Sequence, residues 1–363
     1  MPPIHIMIKP VSGACNMRCT YCFYADEAAH RNVFSYGKMD SATVKNIVRK
    51  AFIYADESVS FTFQGGEPLL AGLEFFEAFV KCVDSFNSRD LDVLYSLQTN
   101  GTLLTDSFCR FFKANDFLVG VSLDGTEEIH DSLRKDASGN GSYKKVKDGI
   151  RLLEKYGVDF NLLCVLTKEC ALNIKTVWKE LSPHRHLQFI PCIDGLDGTS
   201  SPHSIDAELY GKALVDIFDL YERHNLFGSP VSERRIDNYL FILMGYPPEQ
   251  CGMCGSCGTY FLCEADGSVF PCDFYVLDHW KLGNINETSF ARMERGEVME
   301  RFQREGMQIP DACRSCEYYF LCRGGCRRDR EPDLLTNRFC KSYKYFFENR
   351  LERMRELAEI LDE

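Results

Sequence analysis

The chain has 363 residues, of which 45% are apolar and 26% are charged, and its 53 acidic residues outnumber its 42 basic ones, for a net charge of −11. This balance is ordinary for a globular protein and argues against a basic nucleic-acid-binding surface. The sequence contains no run of about 18 uncharged apolar residues, and Lys9 and Pro10 interrupt the N-terminus too early for a signal peptide. We therefore expect a cytoplasmic protein without membrane or nucleic-acid partners.

Strand and helix patterns alternate over the first two thirds of the chain. Short, mostly apolar strands are predicted at 4–11, 58–63, 91–98, 117–123, 159–167 and 186–193. Helical patterns follow at 41–54, 72–86, a short stretch from 105, 142–157, 171–181 and 204–224. Apolar strands of this kind are typical of a parallel sheet covered on both faces. Six such repeats predict an α/β fold, a partial (β/α)6 barrel with functional residues at the carboxyl ends of its strands.

Eighteen cysteines without a secretion signal favour metal ligands over disulfides. Cys15, Cys19 and Cys22 have the spacing C-x3-C-x2-C. Three thiolates can hold three irons of a 4Fe–4S cubane and leave the fourth iron open to a substrate or cofactor. A zinc knuckle is the alternative, but His30 lies beyond the usual window for a fourth ligand.

Polar residues follow two of the predicted strands. The run QGGEP, residues 64–68, comes directly after the second strand, and its two glycines let the backbone approach a ligand while Glu67 adds a carboxylate. Ser122 ends the fourth strand, and the planar fork of Arg134 suits a carboxylate. A generic turn and a surface ion pair are the alternative interpretations of these residues.

The C-terminal third is rich in cysteine. Two short strand patterns flank Asp266-Gly267, which is a strong hairpin signal, between Cys257 and Cys272. Four later cysteines have the spacing C-x2-C-x5-C-x3-C and are followed by a single one: Cys313, Cys316, Cys322, Cys326 and Cys340. Four ligands at such spacing are also compatible with a zinc ribbon.

The first cysteine motif, with Tyr21 before its third cysteine, resembles the signature of the radical S-adenosylmethionine enzymes, and the later cysteines resemble their SPASM extension. The stretches CTYCFY, FQGGEPLLAGLEFFE, SLQTNGTLL, DGSVFPCDFYVLDHWKLGN and FLCRGGCRR are similar to those of the anaerobic sulfatase-maturating enzymes. This resemblance implies a radical S-adenosylmethionine core at 1–230 and a SPASM domain at 231–363. It also implies three 4Fe–4S clusters and S-adenosyl-L-methionine as cofactors.

The resemblance assigns ligands by position. The first cluster is expected on Cys15, Cys19 and Cys22. The first auxiliary cluster is expected on Cys251, Cys257, Cys272 and Cys326. The second auxiliary cluster is expected on Cys313, Cys316, Cys322 and Cys340. Cys254 could replace Cys251 or Cys257, and the role of Cys263 stays open. The expected contacts of S-adenosylmethionine are Tyr21, Gly66, Glu67, Ser122, Arg134 and Ile193.

The resemblance further implies oxidation of one cysteine or serine of a sulfatase to Cα-formylglycine. Asp273, directly after Cys272, matches the proton acceptor of the family, and Tyr24, Gln64 and Gln98 are expected to line the peptide site. The implied partners are a sulfatase polypeptide with a Cys/Ser-x-Pro-x-Arg motif and an electron donor such as flavodoxin or ferredoxin. A radical enzyme that crosslinks or epimerises a ribosomal peptide and a zinc-binding interaction protein without catalytic activity are the alternatives.

Overall fold

The computed structural model describes residues 3–330 and 336–362, which form ten strands and fifteen α-helices. The strands are β1 (Ile4–Ile8), β2 (Ser58–Phe63), β3 (Asp92–Thr99), β4 (Leu118–Ser122), β5 (Phe160–Leu166), β6 (His186–Pro191), β7 (Ser232–Glu233), β8 (Phe261–Cys263), β9 (Ser268–Phe270) and β10 (Gly283–Asn284). The helices up to residue 181 are α1 (Phe23–Ala29), α2 (Ser41–Tyr54), α3 (Leu73–Phe86), α4 (Asp106–Ala114), α5 (Glu127–Leu133), α6 (Tyr143–Tyr156), α7 (Lys168–Leu172) and α8 (Ile174–Leu181). Those that follow are α9 (Ala207–Phe227), α10 (Arg234–Leu243), α11 (Phe290–Glu294), α12 (Glu297–Gly306), α13 (Asp311–Arg314), α14 (Tyr319–Cys322) and α15 (Cys340–Asp362).

The first compact unit comprises the chain up to Ser122 together with 131–160 and 259–302. Its strands lie in the order β10-β9-β8-β1-β2-β3-β4. The strand β1 is parallel to both neighbours, so that Ile6 stands beside Phe61 of β2 and Phe261 of β8. The pairs β2–β3 and β3–β4 are also parallel, whereas β8, β9 and β10 form antiparallel pairs. The carboxyl ends of five parallel strands, β8 and β1 to β4, therefore meet at one edge, as expected for a site of this fold class.

A cluster of aromatic side chains fills the core of the first unit. Phe63, at the end of β2, is fully buried, and its ring lies 5.1 Å from that of Phe76, 4.9 Å from that of Phe79 and 6.1 Å from that of Phe117. These rings belong to β2, to α3 and to the residue before β4. The contacts with Phe76 and Phe79 are edge-to-face and that with Phe117 is stacked, and both kinds add to the free energy that burial of apolar area supplies.

The second unit comprises residues 123–130, 161–258 and 303–362. It contains the parallel pairs β5–β6 and β6–β7 and the long helices α9 and α15. Arg350 of α15 binds Asp219 of α9 through two hydrogen bonds of 2.7 Å, and the Phe218 and Phe346 rings of the same helices lie 6.2 Å apart. The amphipathic C-terminal pattern is therefore a helix that packs on α9.

Most of the elements agree with the sequence-based expectations. The six predicted strands correspond to β1–β6, and the turn between β8 and β9 contains Gly267 with a φ of 85°, as its hairpin signal predicts. The prediction of a single helix at 171–181 is wrong, because the helical stretch begins earlier, where Thr167 caps α7, and breaks at Asn173 before α8 begins.

Among the helices of the described residues, none combines the length and the apolar character that a membrane span requires.

Replacing Phe63 with Ala should lower the free energy of unfolding by about 3–5 kcal/mol, because it empties the centre of the aromatic cluster. Denaturant unfolding followed by far-UV circular dichroism measures this loss. Phe227, which is 85% exposed, provides the control, since Phe227→Ala should change stability by no more than about 0.5 kcal/mol. Equal losses in both variants would contradict the assignment of Phe63 to the core.

Candidate active site and cluster-binding cysteines

The loop after β1 carries Cys15, Cys19 and Cys22 to the wall of one cavity of about 580 Å³. The amide of Cys22 donates to the carbonyl of Cys19 at 3.2 Å, and α1 begins directly after Cys22. The amide of Met17 donates to Sγ of Cys15 at 3.3 Å, and burial raises the pKa of the Cys15 thiol to about 11. Such a thiol loses its proton when it binds a metal. Three half-buried thiols with an amide donor fit an iron–sulfur cluster.

The QGGEP segment lies directly on this loop through backbone contacts. The amide of Gly66 donates to the carbonyl of Ser12 at 3.0 Å, and the amide of Glu67 donates to the carbonyl of Ala14 at 2.8 Å. A Cβ at position 66 would lie 2.0 Å from the carbonyl oxygen of Ala14. Only glycine therefore allows this approach of the two backbones.

The carboxylate of Glu67 is fully buried and accepts hydrogen bonds from the protein. Its Oε1 accepts from the amide of Leu69 at 3.0 Å and from the hydroxyl of Thr99 at 2.8 Å, and its Oε2 accepts from the amide of Asn100 at 2.7 Å. Burial raises the pKa of Glu67 to about 7. The side chain thus ties the segment to the end of β3, and contact of this segment with the cofactor stays a prediction.

The expected cofactor contacts of the first unit lie at strand ends or against the cluster loop. The side-chain Nε2 of Gln98 donates to Oγ of Ser122 at 3.2 Å, which joins the carboxyl ends of β3 and β4. Arg134 is 7% exposed, and its Nη1 donates to the hydroxyl of Tyr21 at 2.7 Å. The amide of Thr20 also donates to the carbonyl of the residue before Arg134, at 3.0 Å. The structure therefore brings Arg134 to the cysteine loop, although the two are far apart in sequence.

Asp273 follows β9 and opens a short 3₁₀ turn. Its Oδ2 accepts from the hydroxyl of Tyr24 at 2.8 Å and lies 3.5 Å from Nε2 of Gln64. Its Oδ1 is buried and has no hydrogen-bond partner among the described residues, although the residue as a whole is partly exposed. Burial raises the pKa of Asp273 to about 6, against the opposing charge of Lys9. The expected proton acceptor and two expected substrate residues are therefore in contact.

A buried group of charged side chains lies beside Asp273, and none of them is among the site residues predicted from the sequence. Nζ of Lys9 lies 2.8 Å from Oε2 of Glu27, and Nη1 of Arg31 lies 2.6 Å from Oε1 of Glu264. All four side chains are at most 3% exposed. The signal available in the sequence is a lysine directly after a buried strand, where a charge needs a partner.

The cysteines expected to hold the second auxiliary cluster share one cavity in the second unit. Cys313, Cys316, Cys322 and Cys340 line it, together with the aromatic rings of Tyr318, Tyr319, Tyr343 and Phe347. Three consecutive residues with positive φ turn the chain sharply after Cys322, and they are Arg323, Gly324 and Gly325. Four thiols around one cavity fit a fully ligated cluster.

Three of the four cysteines expected at the first auxiliary cluster lie in the second unit, and Cys272 belongs to the first. A Cβ at Gly252 would lie 3.6 Å from Cβ of Cys326, so the backbone beside Cys251 packs on Cys326. Sγ of Cys326 accepts from the amide of Arg328 at 3.4 Å, and burial raises the pKa of this thiol. Soft thiolates with an amide donor suit an iron–sulfur cluster.

The remaining expected residues differ in their surroundings. Cys254 is exposed, and its thiol lies 3.7 Å from the carbonyl of Pro248 and 3.5 Å from that of Gln250. Cys263 is fully buried within β8, so it is a residue of the hydrophobic core. Ile193 lies two residues after β6 in the second unit. Its contact with the cofactor stays a prediction.

Sequence comparisons place these features in known families. The radical SAM superfamily matches residues 10–170, and the SPASM iron–sulfur cluster-binding domain matches residues 247–317. A cysteine-type anaerobic sulfatase-maturating enzyme of Clostridium novyi (strain NT) is 42% identical, over 99% of this chain and 99% of its own. A serine-type enzyme of Bacteroides thetaiotaomicron is 32% identical, over 96% of this chain and 89% of its own.

Solved structures agree with this placement. The native enzyme anSMEcpe, with bound AdoMet and the Cp18Cys peptide, superimposes with a TM-score of 0.94 at 40% identity, covering 99% of this chain and 100% of its own. Streptococcus suis SuiB, bound to the precursor peptide SuiA, has a TM-score of 0.66 at 16% identity, covering 94% of this chain and 76% of its own, which shows the fold alone. The partial barrel with a cysteine-rich SPASM domain, predicted from the sequence, is confirmed.

The matches also confirm the predicted cofactors, S-adenosylmethionine and 4Fe–4S clusters, and the prediction of an oxidoreductase of the radical type. The identity to the relative of Clostridium novyi extends over nearly the whole of both chains. The chain belongs to the family of anaerobic sulfatase-maturating enzymes.

Proposed function

We propose that this enzyme oxidises a cysteine of a sulfatase polypeptide to Cα-formylglycine. The similarity to cysteine-type enzymes, at 40–42% identity, exceeds that to serine-type enzymes, at 30–32%. We further propose that the target lies in a Cys/Ser-x-Pro-x-Arg motif and that flavodoxin or ferredoxin supplies electrons. The cytoplasm is the proposed location, and residues 1–230 and 231–363 are the proposed functional domains.

The observation that carries the proposal is the asymmetry of the Asp273 carboxylate. Tyr24 and Gln64 hold one oxygen, and the other is buried and has no hydrogen-bond partner in the described part of the chain. A general base must present an oxygen within hydrogen-bond reach of the proton that it removes. Burial also raises the pKa of Tyr24 well above its ordinary value, so this phenol stays protonated and donates. Asp273 can then accept a proton at Oδ1 without losing its orientation.

The proposed oxidation has three parts: removal of a hydrogen atom, removal of a proton and removal of a second electron. When bound, the reduced cluster and S-adenosylmethionine supply the radical that takes a hydrogen atom from the β-carbon of the target residue. Asp273 takes the proton that the oxidised side chain releases. The first auxiliary cluster, which Cys251, Cys257, Cys272 and Cys326 would hold, would accept the second electron. Hydrolysis of the resulting thioaldehyde gives the aldehyde.

The proposed ligands of the clusters are the same cysteines that the resemblance in sequence predicts. Those of the first cluster are Cys15, Cys19 and Cys22. Those of the auxiliary clusters are Cys251, Cys257, Cys272 and Cys326 for the first, and Cys313, Cys316, Cys322 and Cys340 for the second. The proposed contacts of S-adenosylmethionine are Tyr21, Gly66, Glu67, Ser122, Arg134 and Ile193. Gln98 joins Tyr24 and Gln64 at the proposed peptide site, which its hydrogen bond to Ser122 supports.

Asp273→Asn should abolish most peptide oxidation while the clusters stay intact, because an amide keeps the shape of the side chain but cannot accept the proton. The expected loss is on the order of 100- to 10,000-fold, the range that a general base contributes. Mass spectrometry of a sulfatase-derived peptide, iron content and 5′-deoxyadenosine are measured together under anaerobic conditions. Asp278→Asn, an exposed aspartate on the same segment, is the control and should retain activity. Oxidation by Asp273→Asn at the wild-type rate would contradict the role of Asp273.

Two peptides that differ only at the target test the substrate preference. The cysteine peptide should be oxidised with a kcat/KM greater than that of the serine peptide by on the order of tenfold or more. Formylglycine is the product of both, so one mass-spectrometric assay compares them. Equal rates would contradict the cysteine-type assignment, and oxidation of neither peptide would contradict the proposed function.

Gly66→Ala should specifically reduce occupancy of the first cluster. The new Cβ would meet the backbone of Ala14 at 2.0 Å, so the cysteine loop must move. We expect the loss of about four of twelve irons, because each cubane holds four. Gly228→Ala, at an exposed position far in sequence from every proposed ligand and with no atom nearer than 3.3 Å to the new Cβ, is the control and should keep full iron content. Full iron content and normal 5′-deoxyadenosine formation in Gly66→Ala would contradict the steric argument.

A further inference from the structure

Lys9 and Glu27 form a buried ion pair that the proposed chemistry does not use. Nζ of Lys9 lies 2.8 Å from Oε2 of Glu27, and the two side chains are 2% and 3% exposed. The next carboxylate, that of Glu264, is 4.0 Å from Nζ and is already held by Arg31 at 2.6 Å. Glu27 is therefore the hydrogen-bonded partner of Lys9 in this cluster.

The pair contacts both parts of the chain that orient Asp273. Nζ of Lys9 lies 4.6 Å from the centre of the Tyr24 ring, and the hydroxyl of that ring donates to Asp273. The second oxygen of Glu27, Oε1, accepts from the amide of Val276 at 2.9 Å. Val276 stands three residues after Asp273, at the end of the turn that Asp273 opens. One ion pair thus fixes the side-chain partner of Asp273 and its backbone.

Stability alone does not account for this arrangement. The cost of removing two charges from water usually offsets their attraction, and apolar residues of similar volume often stabilise a protein as well or better. A cation over an aromatic face and a carboxylate on a backbone amide are, by contrast, directional contacts. These two directional contacts fix the positions of the Tyr24 ring and of the Val276 backbone.

We propose that the Lys9–Glu27 pair is a positioning device that aims the free oxygen of Asp273 at the target side chain. This inference rests on the proposed function, in which Asp273 takes the proton of the substrate. Lys9 and Glu27 touch neither substrate nor cofactor in it. Without the pair, Tyr24 and the 273–276 turn lose their common support, and the proton step fails while radical formation continues.

The double variant Lys9→Met/Glu27→Gln tests the proposal, because it removes both charges at nearly constant volume and leaves neither one unpaired. We expect full iron content, 5′-deoxyadenosine formation within about twofold of wild type and an unchanged KM for the peptide. Formylglycine produced per deoxyadenosine should fall by at least about tenfold, since a displacement of about 1 Å can cost a factor on the order of 100. Glu27→Gln alone should give a smaller loss, because Lys9 keeps its place over the Tyr24 ring and the Glu264 carboxylate, 4.0 Å away, offsets its charge.

The matched control is Asp219→Asn/Arg350→Met, which removes an ion pair between α9 and α15 and should keep the wild-type ratio. An unchanged ratio in the iron-loaded double variant would overturn the proposal. So would a parallel fall of deoxyadenosine and formylglycine, which indicates a general structural role. If the double variant loses iron, Glu27→Gln decides by the same ratio, and loss of iron there too would assign the pair to the fold. Failure of the wild type to oxidise the peptide would instead refute the proposed function.

Discussion

The backbone of Gly66 touches the backbone of Ala14, and the geometry of the first unit depends on this contact. It joins the loop after β1 to the loop after β2, and it leaves no space for a side chain between them. Because β1 and β2 are parallel neighbours, their carboxyl ends deliver both loops to one edge of the sheet. The three cysteines and the QGGEP segment are therefore held together by main-chain hydrogen bonds, independently of any flexible side chain.

Most buried polar atoms around this contact have partners within the protein, and the exceptions among the described residues include Nε of Arg31 and Oδ1 of Asp273. Glu67 accepts three hydrogen bonds, and both Lys9 and Arg31 are paired with carboxylates. Buried polar atoms normally have partners, so Oδ1 of Asp273, which has none among the described residues, is free to accept a hydrogen bond from a further group.

Much of this architecture could be predicted from the sequence. The strands β1–β6 are short runs with buried apolar residues, which in β2, β3, β5 and β6 alternate with less buried ones. The cysteine spacings are local patterns that need no tertiary information. Helix α1 was missed, because its seven residues are few for a periodic pattern and no side chain caps it. Elements of this length give little periodic signal.

The contacts that sequence reasoning could not find are those between distant segments. Glu27 and Val276 are 249 positions apart, and nothing in either local sequence indicates the other. Their meeting depends on the pairing of β8 with β1, and the short run FLC of β8 carries no register information of its own. The sequence shows directly that Asp273 follows Cys272. It gives only a weak indication of the residues that orient the Asp273 carboxylate.

The pairing of β1 with β8 has a consequence for biosynthesis. Ribosomes add about 5–20 residues per second, so β8 emerges roughly 10–50 s after β1. During this interval one edge of β1 is open, and an unpaired edge is a template for wrong pairing with another chain. The nascent protein thus displays its cysteine loop long before the segment with Asp273 arrives. A chaperone that covers this edge of β1 during the interval would prevent such wrong pairing.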